Sequence, residues 1–311
     1  MQRAHKENVG LLHERRTEQR WCWIMLAIPV IGFAVLTVYP ILWTFRWAFY
    51  SYTGVDSTAV FIGMRNFKAL FTTDFTYWKS WLTTLQFTLL KVPVELAFAM
   101  CLALILSRSI RGTNFFRSVF YLPSVISVVI IGLVFSNLFS FFGVVNGILQ
   151  NLGIIDTGID WFANKNTAMA VIVIGSIWNT LGINVMYFMA ALTNVPKEIY
   201  ECADLDGAGS FTKFFKITLP MIIPVAQIIL LLSVVGTLGI NEYILTLTNG
   251  APSGMTHSVI SYQTTQFVPG FAQKSVPELG YGCAMSLITT LLFALVAIGY
   301  NKLNNKLKDI S

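Results

Sequence analysis

The sequence predicts an all-α membrane protein that crosses the bilayer about six times. Three observations carry that prediction. Hydrophobic residues make up 55% of the 311 residues and charged residues only 12%, about half the roughly 25% of an ordinary globular chain. The charges sit at the ends of apolar runs and are not spread over a surface. Those runs reach the roughly 20 residues needed to cross hydrocarbon as helix. A mean hydropathy of +0.65 excludes a disordered chain, which needs low hydrophobicity and high charge. The net charge of +6 is explained by membrane topology, and no nucleic-acid partner is expected.

The chain opens on a basic tail, residues 1–20, with Arg3, Lys6, Arg15, Arg16 and Arg20. No small-residue cleavage site follows, so the first span, expected at 21–49, reads as an uncleaved anchor. The second, at 80–107, is interrupted only by Lys91 and Glu95. The third is expected at 117–139, with Gly143, Asn146 and Gly147 ending the helix. The fourth, fifth and sixth are expected at 167–193, 217–243 and 279–301. The transmembrane domain then covers 21–304, followed by a tail at 305–311. Basic residues gather on one side: the N-terminal tail, then Arg108, Arg111 and Arg117, then Lys197, Lys213 and Lys216, then Lys302, Lys306 and Lys308. By the positive-inside rule both termini are cytoplasmic.

Cys22, Cys101, Cys202 and Cys283 form no CxxC pair and read as small hydrophobic side chains. The histidines, His5, His13 and His257, are scattered, with no HExxH. Neither a metal site nor a catalytic centre is expected, and an enzyme is disfavoured. No GxxxxGK[ST] loop is present, so this chain has no ordinary means of cradling ATP phosphates.

One segment on the basic side, 194–216, has more structure than a solvated loop needs. It reads as two short helices around a turn. Asn194 caps the first and Pro196 lies in its first turn. Ile199, Ala203 and Leu205 form its apolar side. Asp206-Gly207 is a turn with the glycine at positive φ. Ser210 caps a second helix carrying Phe211, Phe214, Phe215 and Ile217. These aromatic and small residues suit docking into a protein groove or a surface-lying amphipathic hairpin.

Glu201-x-Ala203-x-x-Asp206-Gly207-Ala208, with Phe214, Ile217, Leu219 and Pro220, resembles the EAA motif of binding-protein-dependent ABC importer permeases. Cys202 stands where that family usually has alanine, and Thr83 where asparagine is common. Phe61 to Phe67, Tyr121-Leu122-Pro123, Thr248 to Pro252 and Gly280-Tyr281-Gly282 are also similar, in the manner of the sugar-uptake branch of maltose and oligosaccharide systems. The resemblance implies a type I importer permease in the bacterial cytoplasmic (inner) membrane. It implies a second permease subunit, giving a heterodimer, a dimer of cytoplasmic ATPase subunits, and an extracytoplasmic solute-binding protein. ATP and Mg would sit on the partner ATPase, and this chain would bind no cofactor. Glu201, Ala203, Asp206, Gly207, Ala208, Phe211 and Phe214 are the implied coupling residues.

Two spans carry polar stripes. Ser176, Thr180 and Asn184 recur every fourth residue with Asn179 beside them, and Ser233, Thr237 and Asn241 do the same. That spacing keeps each set on one helix face, lining either a pathway or a helix–helix contact. The resemblance implies a sugar or oligosaccharide pathway there, with Trp178 offering an aromatic face. Lys91 and Glu95, one turn apart around Pro93, read as a local ion pair. An ion relay between them would instead suit a secondary transporter, the alternative reading.

Overall fold

The computed structural model describes residues 21–108, 111–268 and 277–308. The basic N-terminal tail with its five arginines and lysines, Lys274 and residues 309–311 lie outside the described residues. Among the described residues, five helices are long and apolar enough to cross a membrane: Trp21–Trp47, Phe75–Leu106, Lys165–Thr193, Ser210–Leu238 and Leu279–Tyr300. They are spans one, two, four, five and six. Span three is broken. Its arms, Thr113–Val125 and Val128–Leu138, meet at 95° where Ile126 and Ser127 turn extended. The sequence predicted one helix over 117–139. Hydropathy runs evenly across the bend and does not register it.

The chain divides into two compact units. The first consists of Met1–Phe67 and Glu278–Leu287. After span one, strands Tyr50–Ser51 and Val60–Phe61 pair antiparallel. Asn66, buried, donates to the carbonyls of Ala48 (2.9 Å) and Tyr50 (3.0 Å), and the Trp47 and Tyr52 rings stack at 3.8 Å.

The second unit consists of Lys68–Pro277 and Ile288–Ser311. One apolar core joins spans two, four and five through Ala99, Ala103, Val185, Phe188 and Ile229. Another joins Phe87, Ile131, Phe135, Ile172, Tyr243 and Leu247. Small residues let the backbones approach closely. A Cβ on Gly182 of span four would lie 2.2 Å from the Phe120 carbonyl oxygen.

Several boundaries differ from the sequence reading. Span five ends at Leu238, and Gly239 to Asn241 break the helix before Glu242–Leu247 starts. At its other end it begins at Ser210, not 217, because the second connector helix runs into it through a π-helical turn, Phe214–Thr218. That wider turn precedes Pro220, whose ring would clash with an ordinary i−4 carbonyl. Ser210 is therefore the first helical residue behind Gly209, with no side-chain cap bond. Asn194 ends span four and caps nothing further, while Pro196 is itself the N-cap of Lys197–Leu205. Asn146 and Gly147 lie inside a short helix, Val144–Asn151. The last helix continues to Lys308, taking in the start of the expected tail.

Candidate functional site

Span two places Lys91 and Glu95 in the interior, 5% and 0% exposed. Buried charges are costly unless paired and hydrogen-bonded. Both conditions are met here. Lys91 Nζ lies 3.4 Å from Glu95 Oε2 and donates to Thr237 Oγ1 at 3.3 Å. Glu95 Oε1 accepts from Thr180 Oγ1 at 2.5 Å and from Asn184 Nδ2 at 2.7 Å. Asn184 Oδ1 accepts in turn from Ser233 Oγ at 3.3 Å. Oε2 makes no aligned hydrogen bond, so its contact with Lys91 is ionic. One network thus ties the polar stripe of span four to that of span five through a single carboxylate on span two.

The network forms the wall of a cavity of about 580 Å³, within the 300–1,000 Å³ typical of small-molecule sites. Ser176, Asn179, Thr180, Asn184, Ser233, Thr237 and Asn241 all line it. The expectation that Asn241 continues the span-five stripe on a helix face is corrected. Asn241 lies past the helix end at φ −140, ψ −71, and reaches the cavity from the break. Asn179 lines the cavity while its Nδ2 donates to the Pro123 carbonyl at 2.9 Å, next to the bend of span three, where that carbonyl also accepts from Ile126 N–H at 3.3 Å. Ser124 Oγ returns a bond to the Asn179 carbonyl at 2.8 Å.

Trp178 is not among the residues that line this cavity. Residues two apart on a helix point to different sides, so Trp178 leaves the face of Ser176 and Thr180. Its ring sits 5.8 Å from Phe135. Glu242 also lines the cavity, as do Lys91 and Glu95, which the sequence reading had kept apart from the stripes. Their i, i+4 spacing shows an ion pair, but cross-helix partners leave no periodic signal.

The connector between spans four and five is also well defined. Helix Lys197–Leu205 ends with Gly207 at φ +71. Ala208 N–H donates to the Ala203 carbonyl (2.9 Å), and Gly207 N–H to that of Asp204 (3.1 Å). This is a Schellman closure, which demands a left-handed residue where glycine stands. An ion pair between Lys213 and Asp204 crosses the turn. Tyr200 OH meets Thr218 Oγ1 at 2.8 Å, fastening the connector helix to the foot of span five. Ala203 is buried, Ala208 and Phe214 are half-buried, and Glu201, Asp206, Gly207 and Phe211 are exposed. The expected apolar side is split: Ala203 packs inward, whereas Leu205, two residues on, is 90% exposed. Phe211 is 80% exposed and stacks on Phe215 at 5.8 Å.

Membrane-spanning helices around a polar cavity, with an apolar-tipped connector joined to one of them, define a multi-pass membrane transport component. The chain belongs to the family of binding-protein-dependent transport system inner membrane components, which it matches over residues 95–309. It is therefore a multi-pass inner-membrane protein and a permease of the ABC importer type. It is 32% identical over 291 residues to the arabinooligosaccharides transport system permease protein AraP of Bacillus subtilis, covering 92% of this chain and 89% of that one. It is 31% identical over 281 residues to the lactose transport system permease protein LacF of Rhizobium radiobacter, covering 88% and 91%. Among solved structures it resembles a bacterial ABC transporter involved in the import of the acidic polysaccharide alginate. The TM-score is 0.82 over 95% of this chain and 98% of that one, at 20% identity, a likeness of fold. These findings favour the permease reading and lend nothing to a secondary transporter built on Lys91 and Glu95.

Proposed function

We propose that this chain is one half of the translocation pathway of an ATP-driven importer for a sugar or oligosaccharide. The observation that carries the reading is the continuity of one helix, Ser210–Leu238. It starts at the exposed Phe211 of the connector and holds Ser233 and Thr237 against the cavity. A displacement of the connector is therefore carried to those lining residues along one helix, through its π-helical turn at Phe214–Thr218 and past Pro224. Glu201 and Asp206 supply charge, and Leu205 and Phe211 apolar surface, for a groove in a cytoplasmic ATPase. The positive-inside bias puts the connector on that side. Relatives named for oligosaccharide and lactose transport, and a cavity rich in hydroxyl and amide groups, support a sugar. A second, different permease subunit would complete the pathway, and a solute-binding protein would deliver the solute from outside.

ATP and its Mg would be held by the ATPase subunits, since the sequence lacks the phosphate-cradling loop. The test is phosphate release by the purified chain alone and after coexpression with the ATPase and second permease. Activity is expected only in the assembled complex, with the ATPase copurifying. Hydrolysis by the isolated chain would refute the reading.

A further inference from the structure

The fold shared with an importer of an acidic polysaccharide does not decide whether this cavity accepts charged solute. Its side chains do. Among the described residues lining it, the ionisable carboxylates and amines are Lys91, Glu95 and Glu242. Lys91 is matched by Glu95 at 3.4 Å and also bound to Thr237. Glu95 Oε1 is taken by Thr180 and Asn184. The lysine, the natural anchor for a carboxylate or phosphate, is thus already engaged. Glu242, exposed at the start of Glu242–Leu247, adds a negative charge that forms no ion pair among the described residues.

We propose that the Lys91–Glu95 pair sets the charge selectivity of the cavity: it holds the hydroxyls and amides of spans four and five for an uncharged polyhydroxylated solute and withholds the lysine from anionic ones. Glu95 acts here as a positioning residue, through Thr180 and Asn184. The inference rests on the cavity being the solute pathway, and it deepens that reading by naming the solute class.

A test that needs no identified solute uses the charge of small thiol reagents. Gly236 lines the cavity, and a Cβ there would meet nothing within 4 Å. Gly236→Cys would be introduced into the assembled importer with this chain's four native cysteines replaced. Alkylthiosulfonates of equal size carrying a sulfonate, a neutral group or a trimethylammonium would then be compared. Ile228, 57% exposed on the same helix, provides the control position as Ile228→Cys.

In the parent the trimethylammonium reagent should react faster than the sulfonate. Glu95→Gln, which leaves Lys91 unopposed, should raise the sulfonate-to-neutral rate ratio roughly tenfold or more, as focusing in a low-dielectric cleft allows. Lys91→Met should move the ratio the other way, and Lys91→Met/Glu95→Gln should restore the parent value. Glu242→Gln, which removes no side-chain partner seen in the structure, should reduce the cationic preference. The parent keeps the idea testable where the single changes at the buried pair impair assembly: faster labelling there by the sulfonate than by the neutral reagent would show Lys91 open to anions and overturn it. Each comparison is made against the parent, so the second subunit's constant charge cancels.

Fast labelling by all reagents with unchanged ratios in Glu95→Gln and Glu242→Gln would overturn the proposal while leaving the pathway intact. Labelling at 236 no faster than at 228 would overturn the pathway reading, and the proposal with it.

Discussion

Substitution of Gly207 isolates the connector from the rest of the molecule. Its φ is +71, and a Cβ built there meets no heavy atom within 4 Å. No clash accompanies a side chain, so the whole penalty is conformational. For an ordinary L-residue held left-handed it is about 1–2 kcal/mol, a factor of roughly 5–30 in the population of the closed Schellman geometry. Asparagine tolerates that conformation better, so Gly207→Asn should cost less than Gly207→Ala, and Gly207→Val most. Gly209, two residues on, is the internal control. It also has open space at its Cβ, but its φ is −67, so Gly209→Ala should be nearly silent. The assay is solute uptake, ATP hydrolysis and ATPase copurification, measured together on membranes with matched amounts of this chain. Uptake should fall in the order Asn, Ala, Val, with weakened copurification or uncoupled hydrolysis. Solute affinity of the separate binding protein should not change. Equal losses for Gly209→Ala and Gly207→Ala, or none for Gly207→Val, would refute the reasoning.

Three further outcomes follow from the geometry. Gly182→Ala sets a Cβ 2.2 Å from the Phe120 oxygen and 2.7 Å from the Tyr121 Cα; backbone cannot swing aside, so thermal stability should drop by about 1–3 kcal/mol, while Gly299→Ala, with nothing within 4 Å, should leave it unchanged. Asn146, 1% exposed, accepts from Trp161 Nε1 (3.0 Å) and donates to the Phe141 and Ile159 carbonyls (2.9 and 2.8 Å). Asn146→Ala leaves those groups unpaired at a cost of about 1–3 kcal/mol, and should speed hydrogen exchange over residues 139–162 with the spans unaffected. His257, outside the spans and 5% exposed, bonds Ser261 Oγ at 3.1 Å, and burial holds its pKa below the ordinary value. The unfolded chain then takes up the proton first, so stability is full above a pH of about 6.5 and declines as pH falls below it. Melting temperatures from pH 8 to 5 should fall more steeply in the parent than in His257→Gln, and parallel curves would contradict this.

The spans were legible because a bilayer imposes a long charge-free window, and such windows are local in sequence. The polar stripe of span four was legible for a related reason: Ser176, Thr180 and Asn184 repeat at helical spacing. Asn241 repeats at the same spacing, yet Gly239 to Asn241 leave the helix, so a pattern matched where its premise had lapsed. The 95° bend of span three was hidden because Ile126 and Ser127 are no less apolar in context than a straight helix allows. Its support, the Asn179 amide on the Pro123 carbonyl, joins residues far apart in the chain. Glu95 illustrates the same limit. Its proximity to Lys91 could be read from a four-residue spacing, but its bonds to Thr180 and Asn184 exist only once span two packs against span four. Gly207 was the opposite case: Asp-Gly after an amphipathic turn announces a left-handed closure locally, and the backbone adopts it.

The central claim is that a partner's ATP hydrolysis drives solute through a pathway this chain half-builds. The most direct measurement is uptake of labelled oligosaccharide into proteoliposomes containing this chain, the second permease and the ATPase, with binding protein outside and ATP inside. Accumulation is expected only with all four proteins and ATP present, and it should persist when ionophores abolish proton and sodium gradients. Accumulation without ATP that collapses with those gradients would contradict the account.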